Sequence, residues 1–350
     1  MDMPRSNRHF SALLLTSAVP FVFLQALCLA QAPLPDVVKP PPGINLGSTS
    51  FYDGFGRTKA GVTVLQYFRW SDNTEISNAS GNENANFIDP RIESFPALTQ
   101  LIVATKWHPF GGAAGFSALV PLVELHTSFA ANSPKGALDN EFGIGDVIAG
   151  PTFQSKFFAL YPARNLLRAN AVTASAETEP NFVYRAQVLV QIPTGSFSSA
   201  KSSNVGSGYW AVVPYVAMTY VPSRRIEMST RLNYQYNLPT TRIANPPPIP
   251  HLAYVNGQAG QLVYGNFTGS YRLTRHFYSG ANGYGVYQLS PDKTNDINVG
   301  NARETQLYLG PGGGYDISKA DTINVNLYLK LEAHNTASGP SLQVLYIHRF

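Results

Sequence analysis

The stretch that decides the fold is RIEMSTRLNYQYN, residues 225–237, because its side chains alternate in character at successive positions. One alternate set holds Ile226, Met228, Thr230, Leu232, Tyr234 and Tyr236, and the other holds Glu227, Ser229, Arg231, Asn233 and Gln235. A period of two residues is typical of a β-strand with two unlike faces. The stretch therefore predicts a strand with one apolar face and one polar face.

The same two-residue period recurs along most of the chain. It is clear in TINVNLYLKLEAH (322–334), GQLVYGNFTGSYRL (260–273) and NFVYRAQVLVQIPTG (181–195). Runs of this kind lie near 61–70, 98–108, 115–126, 145–158, 182–192, 209–221, 225–237, 260–273, 277–289, 304–315, 321–333 and 341–350. Twelve strands and almost no helical period predict an all-β protein.

The connections between these strands alternate in length. Short ones such as PSRR (222–225) and SKAD (318–321) alternate with long polar ones such as 71–95, 241–257 and 291–303, and the link 159–181 is the exception. Outer-membrane barrels have short periplasmic turns and long outer loops. We therefore predict a transmembrane, antiparallel, up-and-down β-barrel of about 12 strands with long extracellular loops. The alternative is a soluble sandwich, but its outward face would carry Lys and Glu, whereas the polar face here is Asn, Gln, Ser and Tyr.

The composition agrees with a membrane barrel and argues against other classes. Charged residues make up 13% of the chain, about half of the roughly 25% usual in soluble domains. The net charge of +4 on 350 residues is too small to indicate nucleic acid as a partner. The seven histidines have no metal-ligand spacing, so neither a metal nor a cofactor is predicted.

The N-terminal sixty residues have a different character. Residues 1–30 combine Arg5 and Arg8 with the apolar run SALLLTSAVPFVFLQALCLA, and predict a signal peptide cut after Ala30. The only cysteine, Cys28, leaves with it. Residues 31–60 are rich in Pro and Gly and predict an irregular segment, either a plug inside the lumen or a loose tail. Residues 61–350 are assigned to the barrel, which we expect in the outer membrane of a Gram-negative cell.

The chain ends on a strand, SLQVLYIHRF (341–350), whose alternate positions are apolar and whose last residue is Phe350. Soluble domains usually end in a frayed polar tail, whereas bacterial barrels typically end on an aromatic residue that the barrel assembly machinery reads. His348 departs from that apolar pattern. The predicted partners are therefore outer-membrane lipid and this machinery, besides a small-molecule solute.

Four stretches in order resemble one known family. They are EFGIGDVIAGPTF (141–153), QIPTGSFSS followed by SGYWAVVPYVAMTY (191–199 and 207–220), NGYGVYQLSPDK (282–293) and LGPGGGYDI (309–317). Together they resemble the outer-membrane channel proteins named for the meta pathway of phenol degradation, over about residues 140–350. The resemblance implies a barrel that passes small, often aromatic or hydrophobic compounds, but it carries over no catalytic residues. The long link 159–181 departs from the family, which has a short turn there.

The polar faces of the strands give the candidate site residues. Turning them inward predicts a lumen lined by Arg69, Lys106, Glu124, Arg185, Glu227, Arg231, Arg272, Lys330, Glu332 and Arg349, with Tyr67, Tyr264, Tyr284 and Tyr328 as stacking surfaces. Basic residues outnumber acidic ones, which favours an anion-preferring pore. The alternative is a structural network in which paired charges fill a narrow barrel. The prediction is a passive channel for small organic solutes; the alternative in the same class is a plugged, gated path for hydrophobic compounds.

An enzyme of the phospholipase type is a further alternative. His126, Ser128 and Asn140 match a His-x-Ser pair with a later Asn, as in twelve-stranded outer-membrane phospholipases. Alternate residues of a strand point the same way, so a nucleophile and its base could meet. The rest of the phospholipase sequence is absent, and the prediction is that the chain is not an enzyme.

Overall fold

The computed structural model describes residues 34–40, 50–134, 138–160 and 180–350. Its twelve long strands, β1 to β12, are Gly61–Asn73, Arg91–Ala104, Ala113–Ser128, Val147–Gln154, Phe182–Ile192, Ala211–Ser223, Ile226–Asn237, Leu262–Arg272, Phe277–Gln288, Thr305–Asp316, Asp321–His334 and Ser341–Arg349. Shorter pieces are Glu75–Ile76, Glu141–Ile144, Gly257–Gln258, Lys293–Thr294, Ile297–Asn298, Ala337–Ser338 and the 3₁₀ turn Pro109–Gly111. Among the described residues no helix is long and apolar enough to cross a membrane.

The twelve strands close into a barrel. Each strand pairs antiparallel with its neighbours in the chain, and β1 also pairs with β12, with Thr63 opposite Arg349 and Ser71 opposite Ser341. Closure leaves no unpaired sheet edge, which is what a backbone surrounded by lipid requires. The predicted fold and strand number are confirmed. The second strand begins at Arg91, earlier than predicted, because the pairing with β3 continues to Arg91 opposite Ser128.

The two faces of the barrel are inverted relative to a soluble protein. Along β7, Met228 is 56% exposed and Leu232 51%, whereas Glu227 and Arg231 are buried. Apolar side chains therefore face outward toward lipid and polar ones face the interior. Exposed aromatic residues lie toward both ends of the strands, including Trp70, Phe95, Trp210 and Tyr287 at the extracellular end and Tyr271, Phe277, Tyr315 and Phe350 at the periplasmic end. Aromatic girdles of this kind mark the two membrane interfaces.

The interior also contains an apolar layer, which polar-face reasoning did not predict in full. Eleven of the twelve strands contribute to it through Leu65, Tyr67, Leu98, Leu119, Ile148, Leu189, Val213, Tyr215, Ala217, Leu262, Tyr264, Tyr284, Val286, Tyr308, Tyr328 and Leu345. These side chains are buried and form one hydrophobic cluster. We call this set the lumen layer. It packs the barrel at mid-height much as side chains fill small closed barrels.

Candidate functional site

Residues Ser50–Arg57, here called the lumen segment, lie inside the barrel on its periplasmic side. The Tyr52 N–H donates to Glu227 Oε1 at 2.9 Å, and the Gly54 N–H donates to Thr219 Oγ1 at 2.8 Å. A Cβ at Gly54 would lie 2.5 Å from the Thr219 backbone nitrogen, so the close approach requires glycine. The backbone of the segment is thus held by side chains that the barrel wall turns inward.

Asp53 places a carboxylate between two arginines of the wall. Arg231 donates from Nε to Oδ2 at 2.9 Å and from Nη2 to Oδ1 at 2.7 Å, and Arg185 Nη2 donates to Oδ1 at 3.0 Å. The Arg231 side chain is 2% exposed and that of Asp53 11%. Burial raises the pKa of Asp53, but the attraction of Arg231 and Arg185 outweighs it and the pKa is lowered. Asp53 is therefore ionised and paired at neutral pH.

A chamber of about 770 Å³ lies between the lumen segment and the periplasmic end of the wall. Its lining includes the apolar side chains of Leu65, Ile102, Leu345 and Ile347 together with Phe55 of the segment. It also includes six cationic residues, namely Arg57, Arg185, Arg272, Arg275, Lys319 and Arg349. The acidic residues among its lining are Asp53 and Asp316. The chamber is therefore both amphipathic and electropositive.

The pairing of these charges leaves positive charge facing the chamber. Arg272 Nη1 lies 2.9 Å from Asp316 Oδ2, and its guanidinium lies over the Tyr278 ring at 4.8 Å. Arg349 donates to Thr322 Oγ1 at 3.2 Å. Within the described parts of the chain, neither Arg57 nor Arg349 forms an ion pair. An anion entering the chamber would find these guanidiniums available.

A tyrosine cluster belongs to the lumen layer beyond the chamber. The rings of Tyr284 and Tyr308 stack with centroids 4.7 Å apart, and Tyr328 meets Tyr284 edge-on at 5.2 Å. Arg69 donates to Tyr284 Oη at 2.9 Å and to Ser341 Oγ at 3.0 Å. These contacts tie β1, β9, β10, β11 and β12 together inside the barrel and help to fill it.

Residues 34–40 lie at the opposite, extracellular end. Val37 and Val38 pack with Tyr209 and Ile243 in a second buried cluster. Tyr209 Oη donates to the Lys39 carbonyl at 3.0 Å, and Thr294 Oγ1 donates to the carbonyl of Pro35 at 2.7 Å. The two described pieces of the Pro-rich segment thus contact the barrel at its two ends.

Two buried carboxyl groups meet at this extracellular contact. Asp36 and Asp292 line the same small pocket, and Asp292 accepts from the Gly260 N–H at 2.6 Å and from Gln288 Nε2 at 2.8 Å. Burial, and then the charge of Asp36, raises the pKa of Asp292 to about 9. Burial also raises the pKa of Asp36. At neutral pH the pair of carboxyl groups therefore holds a proton.

Most of the predicted lumen residues lie on inward-facing positions. Arg185, Glu227, Arg231, Tyr67, Tyr264, Tyr284 and Tyr328 are buried. Arg69, Arg272 and Arg349 make polar contacts inside the barrel with Tyr284, Asp316 and Thr322 respectively. Lys330 is half-buried and forms an ion pair with Glu75 of a short extracellular strand. The structure brings Arg185 and Arg231 together through Asp53, a residue that the strand pattern did not identify.

Three predicted lumen residues are placed elsewhere. Glu332 shares the outward face with Leu307, because a bulge at Leu331 shifts the alternation by one residue. Glu124 lies an even number of residues along β3 from the exposed Phe116 and Leu122, so its side chain is on the same outer face. Lys106 lies beyond the last residue of β2, in an exposed connection.

The residues of the phospholipase alternative do not assemble into a triad in the described structure. His126 Nε2 is hydrogen bonded to Glu124 Oε1 at 2.8 Å, and Asn140 Oδ1 accepts from the Thr127 N–H at 2.7 Å. The base and the group that should orient it therefore have other partners. His126 and Ser128 are exposed at the extracellular end of β3.

Two of the family-like stretches meet at Asp146. Its Oδ1 accepts from the Gly195 N–H at 2.9 Å, and its Oδ2 accepts from the Ser207 N–H at 2.9 Å and from Gln191 Nε2 at 2.9 Å. A Cβ on Gly195 would lie 2.6 Å from the Gly206 Cα, which explains the small residues there. The motifs GIGD and PTG therefore form a clamp that closes the loop 193–210, and their role is structural.

The fold and these contacts define an outer-membrane β-barrel. The structure is similar to an outer membrane channel from Pseudomonas putida F1, with a TM-score of 0.66, 12% identity, and coverage of 86% of this chain and 100% of that one. It is also similar to the β domain of the Bordetella autotransporter Brka, with a TM-score of 0.48, 10% identity, and coverage of 83% and 100%. At 12% identity, the similarity to the Pseudomonas putida channel shows the fold alone.

The chain belongs to the family described as "Putative MetA-pathway of phenol degradation", whose sequence profile matches residues 56–346. The family resemblance of the four stretches is confirmed. A search of curated protein sequences finds no match to this chain. The protein is thus an outer-membrane β-barrel of this family, in agreement with the predicted localisation.

Proposed function

We propose that the protein is a channel for small organic solutes, aromatic carboxylates among them, and that the lumen segment closes it in the state described here. The observation that carries this proposal is the chamber, whose lining combines apolar side chains with six cationic residues. Its volume of about 770 Å³ is in the range of small-molecule pockets, about 300–1,000 Å³. An apolar body and a carboxylate would each meet a matching surface there.

Charge selects the solute class in this proposal. The guanidiniums of Arg57 and Arg349 form no ion pairs among the described residues, and both line the chamber. Fixed cations in a narrow space raise the local concentration of anions. The rings of Tyr52 and Tyr278 already receive the Arg272 guanidinium, and an aromatic solute can stack in the same way. A neutral solute would contact only the apolar residues of the lining.

The contacts of the lumen segment favour gated passage over a permanently open pore. The segment crosses the lumen between Ser50, hydrogen bonded to Asn326 of β11, and Gly54, hydrogen bonded to Thr219 of β6. Together with the lumen layer it fills the space that a solute would cross. Passage then requires the segment to move, while the strands remain paired.

The proposal is tested by conductance in planar bilayers. The mature chain and a variant lacking residues 31–57 are refolded, and folding is verified by heat-modifiable gel migration. The deletion is expected to raise single-channel conductance, with a reversal potential that indicates anion preference. Arg349→Glu in the deleted chain is expected to reduce that preference. Lys106→Glu is the matched control, since Lys106 lies at the same end but outside the chamber. Unchanged conductance after the deletion, or equal selectivity of the two charge variants, would contradict the proposal.

A further inference from the structure

The two arginines that hold Asp53 have the geometry of a carboxylate site. Arg231 presents two parallel N–H groups to the two oxygens of Asp53, and Arg185 adds a third donor. A planar guanidinium that binds both oxygens recognises carboxylate geometry, whichever molecule carries the carboxylate. Nothing in these three hydrogen bonds depends on the carboxylate belonging to this chain.

The site is built on the rigid wall of the barrel. Arg185 of β5 is opposite Ala217 of β6, and Ala217 is opposite Arg231 of β7. The small, fully buried Ala217 lets the two long side chains converge above it. The ring of Tyr215, two residues along the same strand face, lies under Arg231 with its centroid 4.5 Å from the guanidinium carbon. The donors are therefore fixed by strand register and by stacking.

The carboxylate, in contrast, belongs to a segment that is not part of the barrel wall. Asp53 belongs to the lumen segment, which contains no strand of the barrel. Besides the contacts of Asp53, hydrogen bonds at Ser50, Tyr52, Gly54 and Phe55 hold the segment to the wall. When the segment leaves, two buried guanidiniums remain side by side without a counterion. Such an arrangement is strongly unfavourable, so an anion must enter as Asp53 departs.

We propose that Asp53 is an internal ligand: Arg185 and Arg231 form the binding site for the carboxylate of an aromatic carboxylate solute, and Asp53 fills this site while the channel is closed. Solute and lumen segment then compete for one site. Asp53 and Arg185 both line the chamber, so a solute reaches the site directly from it. The solute class rests on the proposed function, whereas the site itself rests on the contacts of Asp53.

The test is benzoate binding to the folded barrel in detergent, measured by calorimetry. Asp53→Ala empties the site and is expected to bind benzoate more tightly than the parent chain by roughly tenfold or more, the scale of a charge-assisted hydrogen bond. Benzamide, which has the same ring without the charge, should show no such gain. Adding Arg231→Gln to Asp53→Ala should abolish it. A gain shared by benzamide, or kept without Arg231, would overturn the proposal.

The matched control is Asp72→Ala. Asp72 accepts from Arg91 Nε at 3.0 Å and from Arg91 Nη2 at 3.1 Å, the same bidentate arrangement, but on the outer surface of the barrel. Its removal should leave benzoate affinity at the parent value, and an equal gain in both variants would overturn the proposal.

If Asp53→Ala fails to fold, the same measurement uses Asp53→Asn, which keeps the volume but loses the charge. In a Ser50→Cys chain with Asp53 intact, benzoate should also increase the rate at which the thiol is labelled. No benzoate effect on either variant overturns the site, while an anion-selective conductance would still support the proposed channel. Benzoate binding without conductance would support the site and contradict the channel.

Discussion

The two ends of the N-terminal stretch are held by opposite electrostatic means. At the periplasmic end, Asp53 of the lumen segment meets two arginines of the wall. At the extracellular end, Asp36 meets another carboxyl group, Asp292. The first contact requires an ionised carboxylate and the second requires a proton. One stretch of chain can therefore be released by acid at one end and by alkali at the other.

The largest expected effect comes from breaking the periplasmic contact. Arg231→Gln leaves Asp53 buried beside Arg185 alone, and removal of one partner of a buried ion pair costs about 3–5 kcal/mol. We expect a loss of that order in the free energy of unfolding, measured by guanidinium titration of the refolded barrel. Tryptophan fluorescence reports the transition.

The control for this loss is Arg91→Gln. Arg91 forms a bidentate pair with Asp72, but its side chain is 52% exposed. Exposed pairs contribute about 0–1 kcal/mol. Equal losses in the two variants would mean that burial does not distinguish the two pairs, and the description of the periplasmic contact would be wrong.

The strand pattern predicted the two wall arginines of the periplasmic contact but not the carboxylate of Asp53 that they bind. Arg185 and Arg231 were assigned inward because lipid on one side and the lumen on the other enforce a period of two. Asp53 pairs with them across 132 and 178 residues of chain, and no local periodicity marks such a contact. The available signal was the excess of inward basic residues, which implied that a carboxylate must come from outside the strands.

The misplaced residues have equally physical explanations. Glu332 is reversed by the bulge at Leu331, which pairs Tyr308 with Lys330 and Leu307 with Glu332. No turn residue in the sequence marks this bulge. Glu124 follows the run Pro121–Val123, where apolar residues occupy both faces of the strand, so the sequence leaves the phase of the alternation undetermined. The Asp36–Asp292 contact joins two loops and has no periodicity to reveal it.

The contacts at the two ends of the N-terminal stretch should respond to pH in opposite directions. Because the folded pKa of Asp292 is raised from 3.8 to about 9, the contact of residues 34–40 is strongest at low pH and weakens as pH rises toward about 9. Because the pKa of Asp53 is lowered, its contact is complete above about pH 4 and is lost as pH falls below that. Single cysteines at Val38 and Ser50, both buried, report the two contacts separately.

Thiol labelling with a dipyridyl disulfide, normalised to a cysteine at the exposed Ala131, provides the measurement. Val38→Cys should gain accessibility on going from about pH 5 to about pH 9, while Ser50→Cys should stay protected. Parallel pH profiles at the two positions would contradict the assignment of opposite charges to the two ends.

Asp292→Asn should remove the pH response at one end only. An amide keeps a hydrogen-bonding group beside Asp36 and cannot ionise, so repulsion between two carboxylates no longer develops at high pH. We expect the Val38→Cys profile to flatten in this background, with a change of on the order of 1 kcal/mol in the opening equilibrium at high pH. The Ser50→Cys profile should be unaffected, and a flattened profile at both positions would mean that the ends open together.

An effect on a similar scale is expected where a neutral side chain of the wall holds the lumen segment. Thr219 Oγ1 accepts from the Gly54 N–H at 2.8 Å and is also hydrogen bonded to Ser229 Oγ at 2.6 Å. Thr219→Val keeps the shape but leaves that buried N–H without its acceptor and Ser229 without this partner, at a cost of about 1–3 kcal/mol. The Ser50→Cys thiol should label correspondingly faster. Thr230→Val is the control, since Thr230 donates to the Asn266 carbonyl within the wall and does not touch the segment. If both substitutions accelerate labelling equally, the segment responds to the barrel as a whole. A response to Thr219→Val alone identifies the hydrogen bonds of Thr219 as contacts that must break before the lumen opens.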